Sequence, residues 1–249
     1  EHDDTTYELD VVRGRVQAEV HPGSGLMIGA AFRPLVGDVE VGRGAEPPIP
    51  ETIDGFGGPI VIMGGGPVVE WDGRDDKVRP RWGPYLRAEG GLWKSTEGEA
   101  ADGGDFEYAR YTVEIEQHLP TFRPNRTIAI QAMLDRVEPR GGGAVPFWDL
   151  PALDEDHLLR GFKRNRFRDE GAVLFNVEYR WPIWDLWDGY LFLDEGQVFG
   201  DWADVDLERF EWSAGAGVRF YSSKSFLLRV QLAFSEEETK FRFGLSQEF

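Results

Sequence analysis

A chain of 249 residues with a formal net charge of −18 is long enough for one large β domain, and its acidity argues against nucleic acid, whose phosphates need basic patches. Without cysteine it can hold neither a disulfide frame nor a thiolate metal site, and its four scattered histidines lack zinc spacing. No run of about 18 apolar residues exists, which excludes a conventional transmembrane helix but not a barrel, whose strands alternate.

The opening Glu1-His2-Asp3-Asp4 has neither a basic nor an apolar stretch, so any signal peptide is expected to be already gone. From there a period of two dominates and helical periodicity is hard to find. Val12, Gly14, Val16, Ala18 and Val20 oppose Arg13, Arg15, Gln17 and Glu19. Gly64-Gly65-Gly66 before Pro67 is not followed by a helix carrying Lys-Ser/Thr, so it reads as a bent strand or close backbone approach, not a phosphate loop. Tyr111, Val113 and Ile115 oppose Arg110, Thr112, Glu114 and Glu116. Val173, Phe175, Val177, Tyr179 and Trp181 oppose Leu174, Asn176, Glu178 and Arg180. Trp212 to Phe220, Leu228 to Phe234 and Phe241 to Phe249 repeat the pattern.

Connections alternate in length. Short turns fall near residues 21–23, 73–81, 119–124, 182–189 and 221–225, and longer, acidic, Gly-rich loops at 38–57, 94–105, 138–170 and 199–210. Only 235–240 is short where a long loop is due. This predicts an all-β, antiparallel up-and-down barrel of 11–12 visible strands, forming one domain over residues 1–249. The odd count of eleven points to N-terminal material that is missing or unrecognised.

Which face turns inward decides membrane or solvent. An inward set with Arg13, Arg15, Arg87, Glu89, Arg110, Glu114, Glu116, Glu178, Arg180, Asp194, Arg219, Arg229 and Arg242 suits a hydrated lumen, leaving the apolar face for lipid. Trp82, Trp93, Trp181, Trp184, Trp187, Trp202 and Trp212 near strand ends suit the membrane–water interface. Phe249, an aromatic at the last outward position, is expected to serve as a barrel C-terminal signal. The alternative is a soluble barrel that hides its apolar face and binds an apolar ligand.

From about residue 65 to Phe249 an ordered set of motifs stands out. It comprises Glu70-Trp71-Asp72-Gly73-Arg74-Asp75-Asp76 with Arg79-Pro80-Arg81-Trp82-Gly83, then Leu159-Arg160-Gly161-Phe162, Val177-Glu178-Tyr179-Arg180, Leu193-Asp194-Glu195-Gly196, residues 213–220 and Phe241-Arg242-Phe243-Gly244-Leu245-Ser246. The order resembles the C-terminal half of the bacterial surface-antigen barrels of the BamA/TamA superfamily, with Leu159 where Val or Ile is more usual. That family usually builds about sixteen strands, in the even-numbered range of such barrels, behind periplasmic α/β domains. Nothing upstream of the matching half reads as helix here.

The resemblance implies that residues 139–169 fold partly into the lumen and that Glu178 and Asp194 receive the Arg160 guanidinium. The residues agree: a planar, permanently charged fork suits two like charges on neighbouring strands better than a lysine. Gly161 is expected to permit a sharp backbone turn, and Phe162 to pack on the inner wall. It further implies residence in the bacterial outer membrane, with lipid, unfolded outer-membrane or secreted clients and periplasmic accessory proteins as partners. The expected role is a scaffold for outer-membrane protein assembly or translocation, the alternative a passive channel on the same fold.

Other motifs carry little. Four Trp-Asp pairs are too irregularly spaced for propeller blades. Residues 72–76 and Asp154-Glu155-Asp156-His157 are acidic but lack the spacing of a calcium loop, so they read as solvated loops. There is no Gly-x-Ser-x-Gly elbow and no catalytic constellation, so no enzymatic step, cofactor or metal is expected.

Overall fold

A computed structural model describes residues 7–41, 53–56, 58–153, 159–163, 166–222 and 226–245. Fourteen strands are present among them. β1 (Tyr7–Arg13), β2 (Val16–Gly23), β3 (Leu26–Val41), β4 (Ile60–Asp72), β5 (Gly83–Glu97), β6 (Glu107–Pro120) and β7 (Thr127–Pro139) come first. Two short strands, β8 (Ala152–Leu153) and β9 (Phe167–Arg168), lie within the long loop that follows. Then come β10 (Gly171–Trp184), β11 (Trp187–Phe199), β12 (Glu211–Tyr221), β13 (Phe226–Ser235) and β14 (Thr239–Gly244). The only helical elements among the described residues are three single 3₁₀ turns, at Phe147–Asp149, Trp202–Asp204 and Leu207–Arg209.

Twelve strands form one antiparallel sheet in which each long strand pairs with its neighbour in sequence, and β7 pairs with β10 across the long loop. β1 and β2 both pair with β3, along its second and first halves respectively. They form one row interrupted at Gly14-Arg15, where the Gly14 N–H still donates to the Pro34 carbonyl at 2.9 Å. Counted as rows, the sheet has the eleven strands that the alternation predicts. β1–β2 and β14 are its two edges, and both run from the long-loop rim to the short-turn rim.

Loop boundaries follow the predicted long and short alternation closely. Two connections depart from it: residues 73–82, expected as a short turn, run as long as a long-rim loop, and within residues 182–189 strands continue to Trp184 and resume at Trp187 around a two-residue turn. β-Strands extend this far because Trp184 and Trp187 still pair across the hairpin. At the Gly64–Pro67 run the backbones close up. A Cβ on Gly66 would lie 2.1 Å from the Gly90 carbonyl oxygen, and Gly66 and Pro67 make no ladder pair with β5.

The two faces separate by chemistry. Val12, Val16, Val20, Phe32, Leu92, Ile115, Phe175, Leu191, Leu193, Phe234, Phe241 and Phe243 are exposed on the convex face. Glu116, Gln131, Asn176, Glu178, Arg180, Asp194, Arg219, Arg229 and Gln231 are buried on the other. Exposure of so much contiguous apolar surface around a charged interior is the reverse of a soluble barrel and is how a lipid-facing one is built. Trp93 departs from the interfacial expectation. It shares the inward face of β5 with Arg87 and Glu89, is buried, and stacks on Tyr108 with ring centroids 6.0 Å apart. The parity that turns Arg87 inward turns Trp93 inward as well.

Candidate functional site: the loop lock in the lumen

The described segments of the connection from β7 to β10 enter the concave side and meet it at two places. Its first segment meets one wall of the sheet. Trp148 is buried against Gly37 of β3, where a Cβ would lie 2.5 Å from the indole, and its N–H donates to the Gly55 carbonyl at 3.2 Å. Asp149 beside it accepts from the Tyr108 hydroxyl at 2.6 Å and pairs with Arg110 at 3.3 Å and Arg13 at 3.7 Å. Around them Leu35, Val39, Ile60, Ile62, Trp93, Phe106 and Val137 form an apolar plug toward the long-loop rim. Burying this apolar surface holds the segment in place.

The second segment, Leu159–Phe162, crosses the opposite wall and touches five consecutive strands. Arg160 is 1% exposed. Its Nε donates to Asp194 Oδ2 at 2.8 Å, its Nη2 to the other oxygen of the same carboxylate, and its Nη1 to Glu178 Oε1 at 2.6 Å. The guanidinium also lies 3.7 Å from the centroid of the Phe192 ring, a cation–π contact. Gly161 passes between β12 and β13, and its carbonyl accepts from the Ser235 hydroxyl at 2.7 Å. The Phe162 carbonyl accepts from Lys240 of β14 at 2.8 Å. Phe162 is buried with Leu153, Leu159, Ala172 and Leu174 and meets Phe167 edge-on at 5.0 Å.

Gly161 serves a different purpose from the sharp turn expected of it. Its φ is not in the left-handed region. A Cβ there would lie 2.7 Å from Ser235 Cβ and 2.9 Å from Ser213 Cβ, so the missing side chain lets the loop backbone lie against the wall.

Register explains why the acids meet one arginine. Asn176 faces Asp194 directly across the β10–β11 ladder and Glu178 faces Phe192, so Glu178 and Asp194 sit diagonally on the same inner face. Each carboxylate has further donors. Glu178 also accepts from Arg219 Nη2 at 2.9 Å and Arg180 Nε at 2.8 Å, and Asp194 from Asn176 Nδ2 at 2.8 Å and the Ser213 hydroxyl at 3.1 Å. Glu178, Asp194, Asn176, Ser213 and Arg219 are all 0% exposed. Sequence reasoning misses these supporting donors, although their alternation signals that Arg180, Arg219 and Ser213 face inward. What it lacks is the shear between strands that brings them level.

At the opposite rim, the connection Gly73–Trp82 is tied down from within. The Asp75 carboxylate accepts from the Arg81 and Trp82 N–H groups at 2.9 and 3.0 Å. Partial burial works against its charge, but the N–H groups of Arg81, Trp82 and Asp76 outweigh it and hold the carboxyl below its ordinary range. Arg74 donates to both oxygens of Asp72 and to Glu116 at 3.1 Å. Among the described residues no group of His and acidic side chains is arranged to hold a metal. Phe249 and the acidic run Asp154–His157 lie outside the described residues.

An Omp85 superfamily domain matches residues 65–249. Among solved structures, BamA from Haemophilus ducreyi lacking POTRA domains 1–3 superposes with a TM-score of 0.69 at 14% identity, over 95% of this chain and 53% of that one. The Pseudomonas putida toluene transporter TodX gives a TM-score of 0.40 at 11% identity, over 92% of this chain and 64% of that one. No curated protein sequence matches. The chain thus spans about half the length of the BamA structure it matches. The matched segment carries Arg160, Glu178 and Asp194 together, and the chain belongs to the Omp85 superfamily of outer-membrane β-barrels.

Proposed function

We propose that the chain works in the bacterial outer membrane as a scaffold for the assembly or translocation of other proteins, with no chemical step of its own. The observation that carries this reading is the occupied lumen. The Phe147–Leu150 segment is wedged against β1, β3 and β6, and Leu159–Phe162 is bonded to β10–β14, so the loop braces the interior from wall to wall. A strut across the bore obstructs steady passage of solute. A wall whose edges and curvature must be held while another chain passes along it gains from one. Partners consistent with this are the surrounding lipid, unfolded outer-membrane or secreted clients, and periplasmic accessory proteins.

Two measurements test it. Proteoliposomes carrying the chain are expected to speed the folding of an added unfolded outer-membrane barrel relative to empty liposomes, and equal rates would remove the assembly role. In planar bilayers the plugged lumen is expected to give rare, brief openings. Steady open-channel currents would instead favour the passive channel.

A further inference from the structure

We propose that the Gly73–Trp82 turn is a second closure of the lumen, latched across the short-turn mouth by Arg79 on Asp188. This inference rests on the barrel fold and not on the assembly role, so either can fail without the other.

The length of the turn is the first clue. Its neighbours on the same rim join adjacent strands with as little as two residues, as Ser24-Gly25 and Asp185-Leu186 do. A connection running through residues 73–82 is longer than the β4–β5 hairpin needs. The extra length is used to reach. β6, β7 and β10 lie between β5 and β11 in the sheet, yet Arg79 Nε donates to Asp188 Oδ2 of β11 at 2.6 Å and Nη2 engages the other oxygen. Nη1 donates to the Asp185 carbonyl at 2.9 Å, and the guanidinium lies 5.4 Å from the centroid of the Tyr221 ring on β12. Asp188 and Tyr221 are buried inward-facing residues, so the turn folds beneath the mouth and not around its rim.

The reach is rigid. Asp75 receives the backbone of Arg81 and Trp82, and Asp76 Oδ1 receives the N–H groups of Val78 and Arg79 at 2.7 and 2.8 Å. Arg79 is therefore presented by a braced backbone, and its fork matches one carboxylate in two places. Behind the turn lies a cavity of only about 10 Å³, bounded by Arg81, Thr127, Arg180 and Tyr221, which is room for about one water. Arg180 also donates to Glu178, so the plug from the long-loop rim and the turn from the other rim meet on its two sides. Opening the lumen end to end then requires releasing both.

The chain has no cysteine, so a single introduced thiol reports access. Thr127→Cys sits behind the turn and Ser213→Cys behind the loop. In folded protein in detergent micelles, a bulky charged maleimide is expected to label both slowly. Adding Arg79→Ala should speed labelling at Thr127→Cys by about tenfold or more, as local opening would, while Ser213→Cys stays protected. The exchange of Arg79→Asp with Asp188→Arg should restore protection at Thr127→Cys. Fast labelling of Thr127→Cys with the latch intact would overturn the proposal. So would an Arg79→Ala variant that leaves labelling unchanged, or one that exposes both thiols together, which reports loosening of the whole barrel.

Discussion

The two walls that the loop braces use the same chemistry under different solvent. On the β10–β14 wall, Arg160, Arg219, Glu178 and Asp194 are sealed, with exposures of 0–1%. On the β1–β3 wall, Arg15 and Arg33 share Glu89, and with Arg13 and Arg110 they line a cavity of about 420 Å³. Side-chain exposure there is 54% for Arg13 and 35% for Arg15. The pairs are of comparable length, 3.2 Å for Arg15–Glu89 and 2.6–2.9 Å around Glu178. Distance therefore does not rank them; water does. A charge stripped of water cannot lose its partner cheaply, whereas a wet one exchanges partner for solvent.

That contrast can be broken at its strong end first. Arg160→Ala takes the loop's guanidinium from two buried carboxylates, leaving Asp194 with neutral donors from Asn176 and Ser213, and should cost about 3–5 kcal/mol, seen as a lower melting temperature of the folded barrel and a proteolytically sensitive loop. A melting temperature unchanged from the parent would dissolve the distinction between the walls. Next, Leu193→Arg on the outward face of β11, between Phe192 and Asp194, should cost about 2–4 kcal/mol in refolding into liposomes if that face meets lipid. Equal refolding yields would mean that the faces are assigned the wrong way round. Gly161→Val forces a branched side chain against Ser213 and Ser235 and should cost about 1–3 kcal/mol, read in the same melts. Last, Arg15→Ala on the wet wall should change stability by about 0–1 kcal/mol, and added salt should erase even that. A loss as large as that of Arg160→Ala would show that the open cavity is dry in the membrane.

Much of this was legible beforehand because alternation is a local signal. The faces of β6, β10, β12, β13 and β14 follow from the period of two, and the rims follow from the glycines and acids of the loops. The Leu159–Phe162 segment and its two acids were legible from the ordered motifs. Trp93 faces inward because the parity of its own strand outweighs the preference of an indole near a strand end for the interface. The partnership of Arg79 with Asp188, 109 residues apart, was not legible at all. It depends on how far the sheet curls, and no window of residues encodes curvature. The Asp149 anchor was missed for a similar reason: its partners Tyr108, Arg110 and Arg13 come from strands far apart in sequence. Gly161 lets a wall come close rather than turning the backbone, and nothing in the sequence distinguishes these two uses of a glycine.

The directions of the two edge rows impose a rule of arithmetic on any closed ring. β1–β2 and β14 point the same way, so a ring paired antiparallel throughout needs an odd number of strands between them. A single strand satisfies the parity and so do three or five, but a lone hairpin never does. Two copies of this sheet inserted in the same sense fail as well, because each seam would set two like-directed strands side by side. Lipid does not tolerate the unpaired amides of an open edge, so any strands that close these edges antiparallel in the bilayer are constrained in number before they are constrained in sequence.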